Sequence, residues 1–489
     1  MTKANDIIMS EKKLKNGLSR KDFLKNSAAA SALMMGAGIF TNGCTTNGVS
    51  RPGDAKNVIF LVTDGMSIGT LTSTDMTMRR KLGRVSNWID LYEKNKCRRS
   101  LMDVAPLDAI VTDSAASAAA WGCGYRVPVR KLNMGPNDEI YTPILTHFKN
   151  AGKSTGLVTT ARITHATPAG FAANVIHRNY EDEIAEQYHE REHDVYMGGG
   201  DRHFDAFKRE DGRDLYGDFN TKGYQVVKNS SELASASNNG KLLGVFSDGH
   251  LPYELDRTNT PDLLNRVPSL SEMTEVALDR LSRNSNGFIL QVEGGRIDHG
   301  AHGNDLGGLI YDQIAFDDAI GVVLKFQEEN PDTLVIITTD HGNASPTLNR
   351  SYNGYEATEI EFDRIQNFKY TNDWVLNGLD ASSSVNYIRE RVEEATRVGI
   401  TSGQARVLQQ ALRGEHRALY EMMSPPDATL GAIMANYTSV NWTGTSHTGD
   451  YVQLAALGPG SDKLNGFTIN TELFYLMAES AGVETGVEA

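Results

Sequence analysis

Three cysteines in 489 residues, Cys44, Cys97 and Cys123, are too few to staple a fold or to build a thiolate metal cluster. Stability must come from a buried apolar core. With 40% hydrophobic residues the chain has ample material for one, and its length alone would permit two or three domains. An excess of positive charge is also missing. Lys and Arg number 48 against 62 Asp and Glu, a formal net charge of -14. Such a chain repels polyanions at long range, which argues against general nucleic-acid binding. It does not exclude a small phosphate ester, because bound cations reverse the field locally. There is no internal repeat and no low-complexity tract. The apolar stretch Ala28–Phe40 is too short to span a bilayer.

That stretch follows a basic segment carrying Lys12, Lys13, Lys15, Arg20, Lys21 and Lys25, the layout of an export signal. Ser19-Arg20-Lys21-Asp22-Phe23-Leu24-Lys25 resembles a twin-arginine signal with Lys21 in place of the second arginine. Gly43-Cys44 offers a lipoprotein cleavage site, although Thr41 stands where an aliphatic residue is usual. The expectation is that residues 1–50 are signal and linker and that Cys44 is a candidate lipid anchor. The protein is then destined for the periplasm or the cell surface. Cys97 and Cys123 remain, either as a pair or as two separate buried thiols.

Beyond residue 50, short apolar runs rich in β-branched residues alternate with helix-like segments. The clearest are Asn57–Val62, Thr155–Val158, Phe288–Val292 and Thr333–Ile337. These read as strands buried on both faces, and the alternation as an α/β fold with a mostly parallel central sheet flanked by helices. Residues 344–440 separate two motif-like blocks. Within them Ser382–Met423 has helical spacing, at Val385, Ile388 and Val392 and again at Val407, Leu408 and Leu412. This predicts a helical insertion, either a lid over the site or an interface element.

Three of the apolar runs end in acids: Thr63-Asp64-Gly65, Val292-Glu293-Gly294 and Thr339-Asp340-His341. In an open parallel sheet ligands bind beyond the carboxyl ends of the strands, so these acids converge on one edge. Crowded carboxylates repel one another, and the usual resolution is a cation. Histidines strengthen that reading. Asp298 and His302 are four apart, on one face if the segment is helical; His341 follows Asp340, and His447 precedes the apolar run Val452–Leu457. Imidazole with carboxylate suits zinc. Asp113-Ser114-Ala115-Ala116-Ser117-Ala118-Ala119-Ala120-Trp121 reads as a helix start, with Asp113 or Ser114 as its cap. A serine there lies among free backbone N–H groups at the positive end of the helix dipole. It would be an N-cap or, with a metal to activate it, a nucleophile.

These blocks, together with Thr164-His165-Ala166-Thr167-Pro168 and His447-Thr448-Gly449, resemble the alkaline phosphatase family in order, over residues 57–460 apart from the insertion. The resemblance implies an alkaline-phosphatase-like fold over residues 51–489. It implies hydrolysis of small phosphate monoesters through a phosphoserine at Ser114, with two zinc ions and one magnesium. Asp298, His302 and His447 would hold the first zinc. Asp64, Asp340 and His341 would hold the second, which also holds the Ser114 oxygen. Asp64, Thr167 and Glu293 would hold the magnesium, for which zinc or cobalt are alternatives. Arg178 would grip two phosphate oxygens. His165 would lie near the magnesium, and His299 near the phosphate through water. Members often dimerise, so a homodimer is open. Rival readings are a phosphodiesterase of the same superfamily and a non-catalytic exported phosphate- or metal-binding protein. A sulfatase would need Cys or Ser within C/S-x-P-x-R, and Ser114-Ala115-Ala116-Ser117-Ala118 lacks both Pro and Arg.

Overall fold

The computed structural model of the protein describes residues 53–486. The expected export signal and Cys44 lie outside the described residues. The strands are β1 (Asn57–Thr63), β2 (Arg98–Asp103), β3 (Ser154–Arg162), β4 (Val195–Gly199), β5 (Tyr224–Val227), β6 (Lys241–Val245), β7 (Phe288–Gly294), β8 (Thr333–Thr339), β9 (Gly342–Asn343), β10 (Thr347–Leu348), β11 (Val440–Asn441), β12 (His447–Thr448), β13 (Val452–Leu457) and β14 (Phe467–Ile469). Ten of them form one sheet in the order β14-β2-β13-β8-β1-β7-β3-β4-β6-β5. All run one way except β13, which is antiparallel to both β2 and β8.

The four apolar runs singled out in the sequence are β8, β1, β7 and β3, adjacent at the centre of the sheet. Every residue of β1, β7 and β8 is buried. Successive side chains of a strand point to opposite faces, and two cores result. Ile59, Leu61, Leu290, Val335 and Ile337 face one, with Phe316 and Ile320 of the helix Leu306–Glu329. Val58, Phe60, Val62, Leu334 and Ile336 face the other, with Trp121, Phe148 and Phe171. Phe60 packs its ring 5.0 Å from Trp121 and 5.2 Å from Phe171. Helices thus cover both faces, as a buried parallel sheet demands.

The insertion is helical as expected. Ser382–Met423 resolves into helices Val385–Thr396 and Ser402–Leu412 and a single 3-10 turn, Glu421–Met423. Ser384 caps the first helix and a Thr401–Gln404 capping box starts the second. Ile388, Val392 and Leu408 join the same core as Ile59 and Phe316, so the insertion is fused to one face of the sheet. The antiparallel pair β10–β11 closes its neck, pairing Thr347 with Asn441 and Leu348 with Val440. Cys97 and Cys123 are separate free thiols, half-buried and buried, which selects between the two alternatives left by the sequence. Among the described residues no helix is long and apolar enough to cross a membrane.

Candidate metal and phosphate site

Parallel pairing puts the strand-end acids at one level. Val62 of β1 is opposite Glu293 of β7 and Thr338 of β8, and Thr159 of β3 is also opposite Glu293. Asp64 and Asp340 therefore leave their strands side by side, flanked by Glu293. Further along the chain, β9 pairs with β12, setting His447 opposite Asn343, just after His341. The helix Arg296–His302 carries Asp298 and His302 to the same edge.

Three groups of donor atoms result, each mutually within 4.8 Å: Asp298, His302 and His447; Asp64, Asp340 and His341; and Asp64, His165 and Glu293. The hydrogen bonds around them leave specific atoms without partners. Asp340 Oδ1 accepts the N–H groups of Gly65 and His341, both at 2.9 Å, while its Oδ2 is buried and unpartnered. Asp64 Oδ2 accepts from Thr167 Oγ1 at 3.4 Å, and its Oδ1 is unpartnered. Glu293 Oε2 accepts from Thr159 at 2.5 Å, and its Oε1 is unpartnered. In the first group the Nδ1 atoms of His302 and His447 lie 2.7 and 2.9 Å from the carbonyls of Thr445 and Thr112. Nδ1 must then donate, which turns the two Nε2 atoms, 3.1 Å apart, toward Asp298, where a proton on His302 or a cation separates them. Fixing the tautomer through the far nitrogen is how proteins orient metal-ligating imidazoles. A buried acceptor with no donor costs about 1–3 kcal/mol, and cations satisfy all of these atoms at once. The residues fit a three-cation centre.

Electrostatics agree. Burial first, then repulsion from Asp340, Asp298 and Glu293, raises the Asp64 carboxyl well above its usual range. Burial likewise pushes Glu293 up to about 7 and Asp340 to about 6. Asp298 goes the other way: burial opposes, but His302, His447 and His341 hold it well below the usual carboxylate range.

Asp113, not Ser114, caps the helix Ser114–Cys123, with its Oδ1 accepting from the Ala116 N–H at 3.1 Å. Ser114 is the first helical residue, and its Oγ lies 3.2 Å from His341 Nε2. Ser117 Oγ, one turn on, donates to the Asp340 carbonyl at 2.8 Å and pins the helix to the end of β8. A simple Ser–His pair is the wrong description. The same Nε2 has Asp340 Oδ2 at 3.2 Å and Asp64 Oδ1 at 3.6 Å; three donor atoms converge on a point beside the serine oxygen. Arg178 reaches the site from outside the helix. Its Nη1 donates to Asp113 Oδ2 at 3.2 Å and its Nη2 to His165 Nε2 at 2.9 Å. His299 stands at the edge, its ring centroid 5.8 Å from that of His165.

All the residues named from the sequence are thus gathered at one sheet edge. Others were missed. His250 packs 4.2 Å from His299, and both its ring nitrogens contact Arg162. Arg162 in turn is held by Glu181 at 2.6–3.0 Å. Asn343 Nδ2 donates to Asp298 Oδ1 at 2.7 Å, and Asp113 holds Arg178. Asp113 carried a signal beside Ser114; His250, Arg162 and Glu181 sit in unremarkable polar contexts.

A family model described as alkaline phosphatase matches residues 55–483. Alkaline phosphatase 4 of Bacillus subtilis is 31% identical over 86% of this chain and 87% of its own length. Alkaline phosphatase of Escherichia coli K12 is 27% identical over 88% and 87%. Among solved structures, Thermus thermophilus alkaline phosphatase superimposes with a TM-score of 0.83 at 33% identity, covering 91% of this chain and 96% of that one.

Proposed function

Since this chain belongs to the alkaline phosphatase family, a family of metal-dependent phosphomonoesterases, we propose that it cleaves phosphate monoesters by in-line transfer to Ser114. Asp298, His302 and His447 would hold one zinc; Asp64, Asp340 and His341 a second; Asp64, Thr167 and Glu293, with His165 alongside, a magnesium. When bound, these cations supply Lewis-acid charge to phosphoryl oxygens and lower the pKa of adjacent hydroxyl groups. Ser114 Oγ gives its proton to water as it attacks phosphorus, the ester P–O bond breaks, and the departing oxygen takes a proton from water and leaves as the alcohol. Water then attacks the phosphoserine and releases inorganic phosphate. Arg178, braced by Asp113 and His165, binds two non-bridging oxygens through its planar fork. His299 orients the phosphate through water. Positioned charge does most of the catalysis in such transfers.

The observation that carries this reading is the convergence of His341 Nε2, Asp64 Oδ1 and Asp340 Oδ2 beside the Ser114 oxygen. The test is acid-quenched turnover of an aryl phosphate. A phosphate adduct on the peptide containing Ser114 supports it; steady turnover with no adduct refutes it. A superfamily phosphodiesterase would instead prefer a methyl aryl phosphodiester to the aryl phosphate. Export by residues 1–50, and anchoring at Cys44, are part of the same proposal and are tested by cell fractionation.

A further inference from the structure

Three imidazoles meet beside Arg178. Centroid to centroid, the His250 ring lies 4.2 Å from His299 and 5.5 Å from His165, and the latter two are 5.8 Å apart. His165 is anchored, with Arg178 on its Nε2. His299 is not: its Nδ1 is buried without a partner, so packing must set the angle of its ring. Of the two imidazoles against it, His250 is the nearer.

His250 is itself held in place. It sits on the loop after β6. The next residue, Leu251, donates its N–H to the Thr160 carbonyl of β3 at 3.0 Å, and Thr160 Oγ1 accepts the N–H of Arg296, at the head of the helix that carries His299, at 3.1 Å. One residue of β3 thus ties both segments to the sheet. Arg162, at the end of β3, abuts both nitrogens of the His250 ring: its backbone N–H is 3.2 Å from Nδ1 and its Nη1 2.5 Å from Nε2. Burial first, then His299 and Arg162, hold the His250 pKa far below the usual imidazole range. The neutral ring accepts at one nitrogen only, and the charged guanidinium offers the stronger bond. Glu181 fixes that guanidinium through its Nε and Nη2. The Glu181 carboxylate is steadied in turn by Thr164 Oγ1 at 2.7 Å and His203 Nε2 at 3.3 Å. The Arg162 and Glu181 side chains are 21% and 10% exposed, so this pair is shielded and does not fray as surface pairs do. Neither residue, nor His250, belongs to the three donor groups. What their chain of contacts supports is the His299 ring.

We infer that His250, gripped by Arg162 and backed by Glu181, is a positioning residue: its ring sets the orientation of His299, and with it the water through which His299 holds the phosphate. This rests on the phosphomonoesterase reading and adds a residue to the same site.

His250→Ala removes the ring, and His250→Asn keeps an acceptor for the Arg162 N–H without the ring. A water-mediated contact to a charged group is worth on the order of tenfold. Inorganic phosphate should therefore inhibit both variants about tenfold more weakly than the native protein, and KM for an aryl phosphate should rise alike, with kcat and metal content within about twofold. In a chain already carrying His299→Ala, the same substitutions should change KM and phosphate inhibition by less than about twofold, because the ring they would release is gone. Unchanged KM and phosphate inhibition in both variants, an equal loss with and without His299, or loss of bound metal in both variants overturns the positioning role and leaves the phosphatase reading intact. A native protein that hydrolyses no aryl phosphate overturns both.

Discussion

Replacing Arg178 separates a phosphate grip from a structural arginine. The side chain is only 19% exposed and spends two of its N–H groups on Asp113 and His165. The other three of a guanidinium's five remain for a ligand. Two charge-assisted hydrogen bonds to phosphoryl oxygens, at about 1.5–3 kcal/mol each, less what water restores, leave about 3–4 kcal/mol. At about 1.36 kcal/mol per decade, Arg178→Ala should lower kcat/KM for an aryl phosphate by about 100- to 1000-fold. Arg178→Lys keeps the charge without the fork and should recover about tenfold of that loss. A methyl aryl phosphodiester has one of the gripped oxygens esterified, so its much slower hydrolysis should fall by about tenfold at most. Folding should suffer little, because Asp113 keeps the N–H groups of Ala116 and Arg130; a loss of about 1 kcal/mol is the scale for a weakened cap. The assay is kcat/KM for both esters in all three proteins, with urea unfolding as the control. An equal fall for monoester and diester, or a monoester loss under about threefold, would show that Arg178 does not grip the phosphate.

Ser114→Ala should cost several powers of ten in kcat and abolish the acid-stable phosphate adduct; full activity would remove Ser114 from the chemistry. Asp340→Asn keeps one oxygen for the Gly65 and His341 N–H groups but loses the charge on the other. Metal analysis should show about one cation fewer per chain, and activity should fall at least about 100-fold; undiminished metal content would contradict the ligand set. Bound metal should raise the melting temperature more at pH 8 than at pH 5, since protons compete with cations for the same oxygens. Without metal the raised carboxyls, Glu293 at about 7 and Asp340 at about 6, stabilise the fold fully below their unfolded values and lose that contribution as pH rises through 6–7, while the buried imidazoles of His341 and His165, held well below their usual range, act in the opposite sense as pH falls. Identical pH trends in the two forms would exclude the carboxylates as ligands.

The centre of the sheet was legible because β1, β3, β7 and β8 are buried on both faces and so read as unbroken β-branched runs. The acids that end β1, β7 and β8 were legible for the same reason: a carboxylate after such a run has no apolar role. The edges were not. β2, Arg-Arg-Ser-Leu-Met-Asp, alternates exposed and buried and reads as polar chain, and the reversal of β13 depends on pairings with strands far from it in the chain. In the site, residues whose chemistry is in the side chain were found. Those acting through contacts were not: the Thr445 and Thr112 carbonyls, Asn343 on Asp298, and the Glu181–Arg162–His250 brace. A backbone carbonyl carries no mark in the sequence, and an ion pair between Arg162 and Glu181 looks like any other until the fold shows what it supports.

The most direct trial of the three-cation centre is chelation followed by re-addition of metal, with cation content and aryl-phosphate turnover measured on the same samples. Turnover should vanish as bound metal is stripped and return when zinc and magnesium are restored. Turnover that persists in protein shown to be free of metal would contradict the account.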